Sequence, residues 1–220
     1  MSTRVEISPA LPVRLDVSGV VLNGDLSLPA EARGLVLFAH GSGSSRHSPR
    51  NKAVAEVLQH GRFATLLLDL LTREEDLADS ATAEFRFDIP MLSDRLVGAI
   101  DWTRTHPQTS PLPVGLFGAS TGAAAALIAA ARRTAVCAVV SRGGRPDLAQ
   151  AMLDAVATPT LLIVGGQDKV VIELNRQTLE RLNGPKTLEI VPGATHLFEE
   201  PGALEQVARM ANDWFARYLH

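Results

Sequence analysis

Short apolar runs alternate along this chain with longer segments whose apolar positions recur at helical spacing. LVLFA (35–39), ATLLLDL (64–70), PVGLFGA (113–119), AVCAVVS (135–141), PTLLIVG (159–165) and KTLEIVP (186–192) are read as strands, each closed by Gly, Pro, Ser or Asp nearby. Most of these runs are apolar at consecutive positions, which predicts parallel strands covered by helices on both faces. Helical patterns fill the intervals: Asn51 to Gln59, Ile89 to Thr105, Thr121 to Arg133, Asp147 to Val156, Val171 to Leu182 and Ala203 to Leu219. The last carries Leu204, Val207, Ala208, Ala211, Phe215 and Leu219 on one stripe. Ahead of them LPVRLDV and VVLNGDLSLP, divided by Ser18-Gly19, predict an antiparallel hairpin at one sheet edge.

The fold class that follows is α/β, a mostly parallel central sheet built from repeated βαβ units over residues 1–220 as one domain. The interval Leu71 to Pro90 shows neither period and is read as a solvated acidic loop. The alternative is a partial lid carrying Phe85 and Phe87. Between Ser141 and Pro159 there is room for one helix and no cap domain.

Composition narrows the function. The chain has 46% hydrophobic residues and a formal charge of -3 from 24 acidic and 21 basic residues, so no broad positive field exists for nucleic acid. The start, MSTRVEISPALPVRLDV, has no apolar leader, and the longest apolar run, Ala123 to Ala131, is too short to cross a bilayer. A cytoplasmic protein without a membrane partner is expected, acting as a monomer or homodimer. The lone cysteine, Cys137, is read as a small core residue. No H-E-x-x-H or Cys/His cluster appears, so no metal is expected.

The turn GASTG (118–122) lies between a strand and an alanine-rich helix and admits two chemistries. A phosphate-binding loop needs Lys and Ser or Thr after its last glycine, whereas Ala123 to Ala126 follow here. A dinucleotide site is the closer rival. But Gly115, Gly118 and Gly122 do not make G-x-G-x-x-G, and no acidic residue between Ser120 and Asp147 can hold a ribose. Arg142 gripping a 2′-phosphate keeps an NADP-binding reductase as one alternative, and a catalytically silent interaction domain is another. The pentapeptide does fit G-x-S-x-G, in which small flanking residues allow a tight turn that lifts a serine oxygen into solvent.

Serine needs a base to take its proton and a carboxylate to orient that base. Both follow in order: Asp168 in GGQD after one strand, His196 in GATH after the next. Negative charge on the attacked carbonyl calls for backbone donors, supplied by the amide of Thr121 after the nucleophile and that of Ser42 in HGSGSS (40–45). His40 is read as structural, His47 as part of a solvated loop, and His60, His106 and His220 as surface residues. Arg142, in SRGGRPD just past its strand, is a candidate partner for an anionic substrate group, an exposed arginine being the plain alternative.

With HGSGSS, GASTG, GGQD and GATH in place, the chain resembles the α/β-hydrolase superfamily, and its short form is similar to the dienelactone-hydrolase-like branch over nearly everything after Gly34. Dienelactone hydrolases proper carry a cysteine nucleophile where position 120 here is serine. The implied activity therefore moves from lactone specificity toward a general esterase that uses no cofactor. The expected mechanism is acyl transfer from a small-molecule ester, thioester or lactone to Ser120. His196 acts as base, Asp168 as its orienter, and the Ser42 and Thr121 amides as the oxyanion hole.

Overall fold

The computed structural model describes residues 9–220, so the first eight residues of the N-terminal stretch read from the sequence lie outside the described residues. Among the described residues, strands β1 (Leu11–Val17), β2 (Val20–Ser27), β3 (Leu35–Ala39), β4 (Ala64–Leu68), β5 (Val114–Ala119), β6 (Val136–Arg142), β7 (Thr160–Gly165) and β8 (Lys186–Val191) form one sheet in the order β1-β2-β4-β3-β5-β6-β7-β8. The β1–β2 hairpin pairs antiparallel and joins β4 antiparallel, while β4, β3, β5, β6, β7 and β8 run parallel. Strands β3, β4, β5 and β7 are buried at every position, as their unbroken apolar runs require.

The described residues also form the α-helices α1 (Pro49–His60), α2 (Arg73–Thr82), α3 (Ile89–Thr105), α4 (Thr121–Arg132), α5 (Lys169–Arg181) and α6 (Ala203–Tyr218). On one face of the sheet α3, α4 and a 3₁₀ helix, Pro146–Ala155, cover Leu37, Leu116, Val139 and Leu162. On the other, α1 and α6 cover Phe38, Phe117, Val140 and Ile163. This is the alternation of side-chain direction along each strand made into two cores. Among the described residues no helix is long and apolar enough to cross a membrane.

Three expectations are corrected. Residues 73–82 of the interval read as a loop are helical: Thr72 accepts from the Glu75 amide while the Glu75 carboxylate accepts from the Thr72 amide, a reciprocal capping box that nucleates α2 without an apolar stripe. The helix expected over 147–156 is a 3₁₀ helix. Its buried Pro146 and Ala149, three positions apart, share a face in either kind of helix, so the pattern at its start does not separate the two. Cys137 is half-buried, because Val114 pairs with Val136 and Gly115 with Ala138, leaving Cys137 as the bulged residue outside the register.

Candidate functional site

From β3 the chain crosses to β4 on one side, then returns to place β5 on the other, so the loops leaving β3 and β5 emerge side by side. Such a reversal opens a crevice at the carboxyl ends of the strands. Here the two loops touch. A Cβ on Gly41 would lie 2.9 Å from Ser120 Cβ, and one on Gly122 would lie 2.5 Å from the His40 carbonyl oxygen and closer still to that of Ala39. Gly118 meets α4 in the same way, 2.5 Å from Ala123 Cα. Both glycines of GASTG are therefore demanded by close backbone approach.

Between them Ser120 takes φ 50° and ψ -120°, a conformation that costs a non-glycine residue about 1–3 kcal/mol. The surrounding bonds impose it: the Ser120 amide donates to the Arg142 carbonyl (3.2 Å), and the Ser120 carbonyl accepts from Arg145 (3.0 Å) and Ala123 (3.1 Å). The next residue, Thr121, opens α4, where a first-turn amide has no partner within the helix. Ser42 lies in the exposed β3–α1 loop, and among the described residues neither the Ser42 nor the Thr121 amide donates to another backbone group. Both residues line one small crevice with His40, Gly41 and Leu71.

His40 fixes that loop from below. It is 7% exposed; its Nε2 accepts from the Leu70 amide at 3.0 Å, which requires the proton on Nδ1, and Nδ1 donates to the Gly41 carbonyl at 2.9 Å. Burial holds its pKa below the ordinary imidazole value. The structural reading of His40 agrees with this placement. His47 is exposed on the wall of a cavity of about 290 Å³ beside the loop, which Asn23, Arg46, Asp69 and Arg73 also line. His60 and His220 are exposed at chain or helix ends, whereas His106 is half-buried, its ring 4.6 Å from that of Trp102.

At the far side of the crevice the loops after β7 and β8 are stitched together. The Gly166 amide donates to Val191 O (2.8 Å) and the Gln167 amide to Ala194 O (2.9 Å). Asp168 stands at the N-cap position of α5 without a capping bond from its side chain, and its Oδ2 accepts from His196 Nδ1 at 2.6 Å, with the two side chains 17% and 39% exposed. A bond of this length fixes the ring and leaves Nε2 as the free nitrogen. Phe198, 1% exposed, anchors the His196 loop in the core.

The turn 142–145 links the two halves. It bonds to Ser120 at both ends, and Gly143 lies against the histidine: a Cβ there would be 3.5 Å from His196 Cε1. Asn175 on α5, fully buried, pins the turn by donating Nδ2 to the Gly144 carbonyl (3.0 Å), and within its own helix it also donates to Val171 O (2.8 Å). The sequence offered no signal for Asn175, a polar residue within a helical pattern. Ser120, Asp168 and His196 thus share one edge of the sheet. Among the described residues the His196–Asp168 bond is formed, and no hydrogen bond joins Ser120 Oγ to the ring. Catalytic hydrogen bonds of this kind commonly tighten only with substrate bound.

Arg142 departs from the exposed alternative, being only 8% exposed; burial first, and the Arg50 charge second, bring its pKa down to about 10. It remains a cation at neutral pH. Among the described residues no group of His, Cys, Asp and Glu is arranged to hold a metal ion.

Comparison with known proteins bears on this arrangement. Two Mycobacterium tuberculosis proteins carrying the name phosphoribosyl transferase are 57% identical over 208 residues, covering 94% of this chain and 46% of theirs. The chain spans about half the length of these curated relatives. The crystal structure of a dienelactone hydrolase from Anabaena variabilis superposes with a TM-score of 0.95 at 56% identity, covering 99% of this chain and 100% of that one. A Xanthomonas campestris α/β serine hydrolase without a lid shares the fold, with a TM-score of 0.76 and 21% identity over 96% of each chain. Est1E from Butyrivibrio proteoclasticus shares it too, with a TM-score of 0.78 and 18% identity over 96% of this chain and 98% of its own. The family model described as the dienelactone hydrolase family matches residues 23–220, and with the α/β-hydrolase sheet and its loops as found, the chain belongs to that family.

Proposed function

We propose that the protein is a serine hydrolase of small carboxylic esters, thioesters or lactones. Ser120 Oγ attacks the carbonyl as His196 Nε2 takes its proton, and Asp168 stabilises the imidazolium that forms. The amides of Ser42 and Thr121 hold the oxyanion. The protonated ring then delivers its proton to the leaving alcohol or thiol, and water attacks the acyl-enzyme with His196 as base, releasing the acid. The observation that carries this reading is the 2.6 Å bond from His196 Nδ1 to Asp168 on the edge where Ser120 is held at positive φ. Family membership supports hydrolysis. The test is the release of p-nitrophenol from a short-chain ester. Wild-type protein is expected to give a burst stoichiometric with enzyme, and Ser120→Ala a rate lower by roughly a million-fold. Equal rates in the two proteins refute the assignment.

A further inference from the structure

Arg142 is buried without a counter-charge. Successive residues of β6 face opposite sides of the sheet, and Arg142 shares the side of Ala138 and Val140, the face covered by α1 and α6. Only 8% of it is exposed, yet among the described residues no carboxylate lies within ion-pair distance, and Nε and Nη1 have no acceptor. Arg50, in the first turn of α1, is the charge that acts on it. Its Nη1 reaches Glu199 Oε1 at 3.1 Å, and its Nε is likewise buried without an acceptor. Glu199 is 64% exposed at its side chain and so competes weakly for that guanidinium. An uncompensated guanidinium is costly to bury, and a bound anion would supply the missing charge.

The position ties this charge to the site. The Arg142 carbonyl holds the Ser120 amide, Gly143 packs on His196, and Glu199 follows His196 by three residues. We propose that Arg142 and Arg50 form a subsite for a phosphate monoester group carried by the substrate whose ester is cleaved at Ser120. The inference rests on the hydrolase reading for the cleavage step alone, and the phosphate is a bystander whose bonds stay intact. Phosphate fits better than carboxylate because three unpartnered nitrogens come from two guanidinium groups. A planar carboxylate is filled by one guanidinium fork, whereas a tetrahedral phosphate presents three terminal oxygens.

The test separates binding from chemistry. Ser120→Ala protein, in phosphate-free buffer, is titrated calorimetrically with inorganic phosphate and with acetate. Phosphate is expected to bind at least ten-fold more tightly than acetate. Arg142→Gln in that background should weaken phosphate about ten- to hundred-fold, and Arg50→Gln several-fold. Should Arg142→Gln not fold, Arg142→Lys, which keeps the charge and loses the fork, is expected to give an intermediate loss. Equal affinity for the two anions, no saturable phosphate binding, or binding that persists in both variants overturns the subsite. In the active enzyme, the ratio of kcat/KM for a phosphate-bearing phenyl ester to that for its neutral analogue should exceed ten and fall toward one in Arg142→Gln; a wild-type ratio of one or below overturns the proposal. Loss of turnover on both esters with phosphate binding intact would instead strike the hydrolase reading.

Discussion

Gly122→Ala is the most exacting test of how the two halves of the site are joined. The added methyl would lie 2.5 Å from the His40 carbonyl oxygen and nearer to that of Ala39. An ordinary C···O contact is about 3.3 Å, so the β3–α1 loop and the start of α4 must separate by about 0.8 Å or more. Both obstacles are backbone atoms at the end of a fully buried strand, and no side-chain rotation relieves them. Overpacking of this kind costs about 1–3 kcal/mol. Alanine returns up to about 1 kcal/mol of helix propensity, less in a first turn, which leaves a net loss of about 1–2 kcal/mol. For a chain of this size that lowers Tm by about 2–8 °C. Activity should fall further than stability, because the loop that shifts carries Ser42. A misplacement of about 1 Å in a catalytic group costs about a hundred-fold. Thermal unfolding followed by circular dichroism, with kcat/KM on a p-nitrophenyl ester, reads both effects. An unchanged or raised Tm together with kcat/KM within three-fold of wild type would refute the reasoning.

Other outcomes follow from the contacts around the site. His40 is held neutral with its pKa below the ordinary value, so between that value and about 6.5 the unfolded chain binds a proton that the folded chain does not. Its contribution to stability is full above about pH 6.5 and is lost as pH falls, and a plot of Tm against pH should flatten over that window in His40→Asn. Asn175→Ala removes the bond that pins Gly144, along with the one to Val171 O, and should cost about 1–3 kcal/mol, with a drop in kcat larger than any rise in KM, measured by unfolding and steady-state kinetics. Glu75 is held below the usual carboxylate range chiefly by Arg95, which donates to both its oxygens and to the Leu70 carbonyl. Glu75→Gln should therefore leave a buried cation poorly paired, and limited proteolysis should cut within 73–82 at temperatures where the wild-type chain resists.

The site candidates were legible because each follows a strand within a few residues, with a glycine at or beside the turn that leaves it. GASTG, GGQD and GATH carry their meaning in a few adjacent residues, and parallel-sheet geometry brings the ends of such strands to one edge. The hairpin was legible for the same local reason. What escaped depends on contacts between distant segments. Thr72 and Glu75 did spell a capping box, but α2 buries almost nothing besides Asp79, so apolar periodicity could not reveal it. Asp79 is itself an internal anchor, accepting from the Phe85 and Arg86 amides, a role that no spacing rule announces. The grip of Asn175 on Gly144 joins segments more than thirty positions apart, and the burial of Arg142 comes from elements packed over the sheet, so only the folded arrangement reveals them. The bulge at Cys137 is a matter of register between neighbouring strands, invisible within either alone.

The central claim is that the hydroxyl at position 120 is a nucleophile activated by the ring at 196. Covalent labelling with a fluorophosphonate, followed by peptide mass mapping, addresses it most directly. A single adduct on Ser120 is predicted, forming rapidly in the wild-type chain and far more slowly in His196→Ala. Absence of an adduct, labelling at another serine such as Ser141, or equal labelling rates in the two proteins would contradict the account.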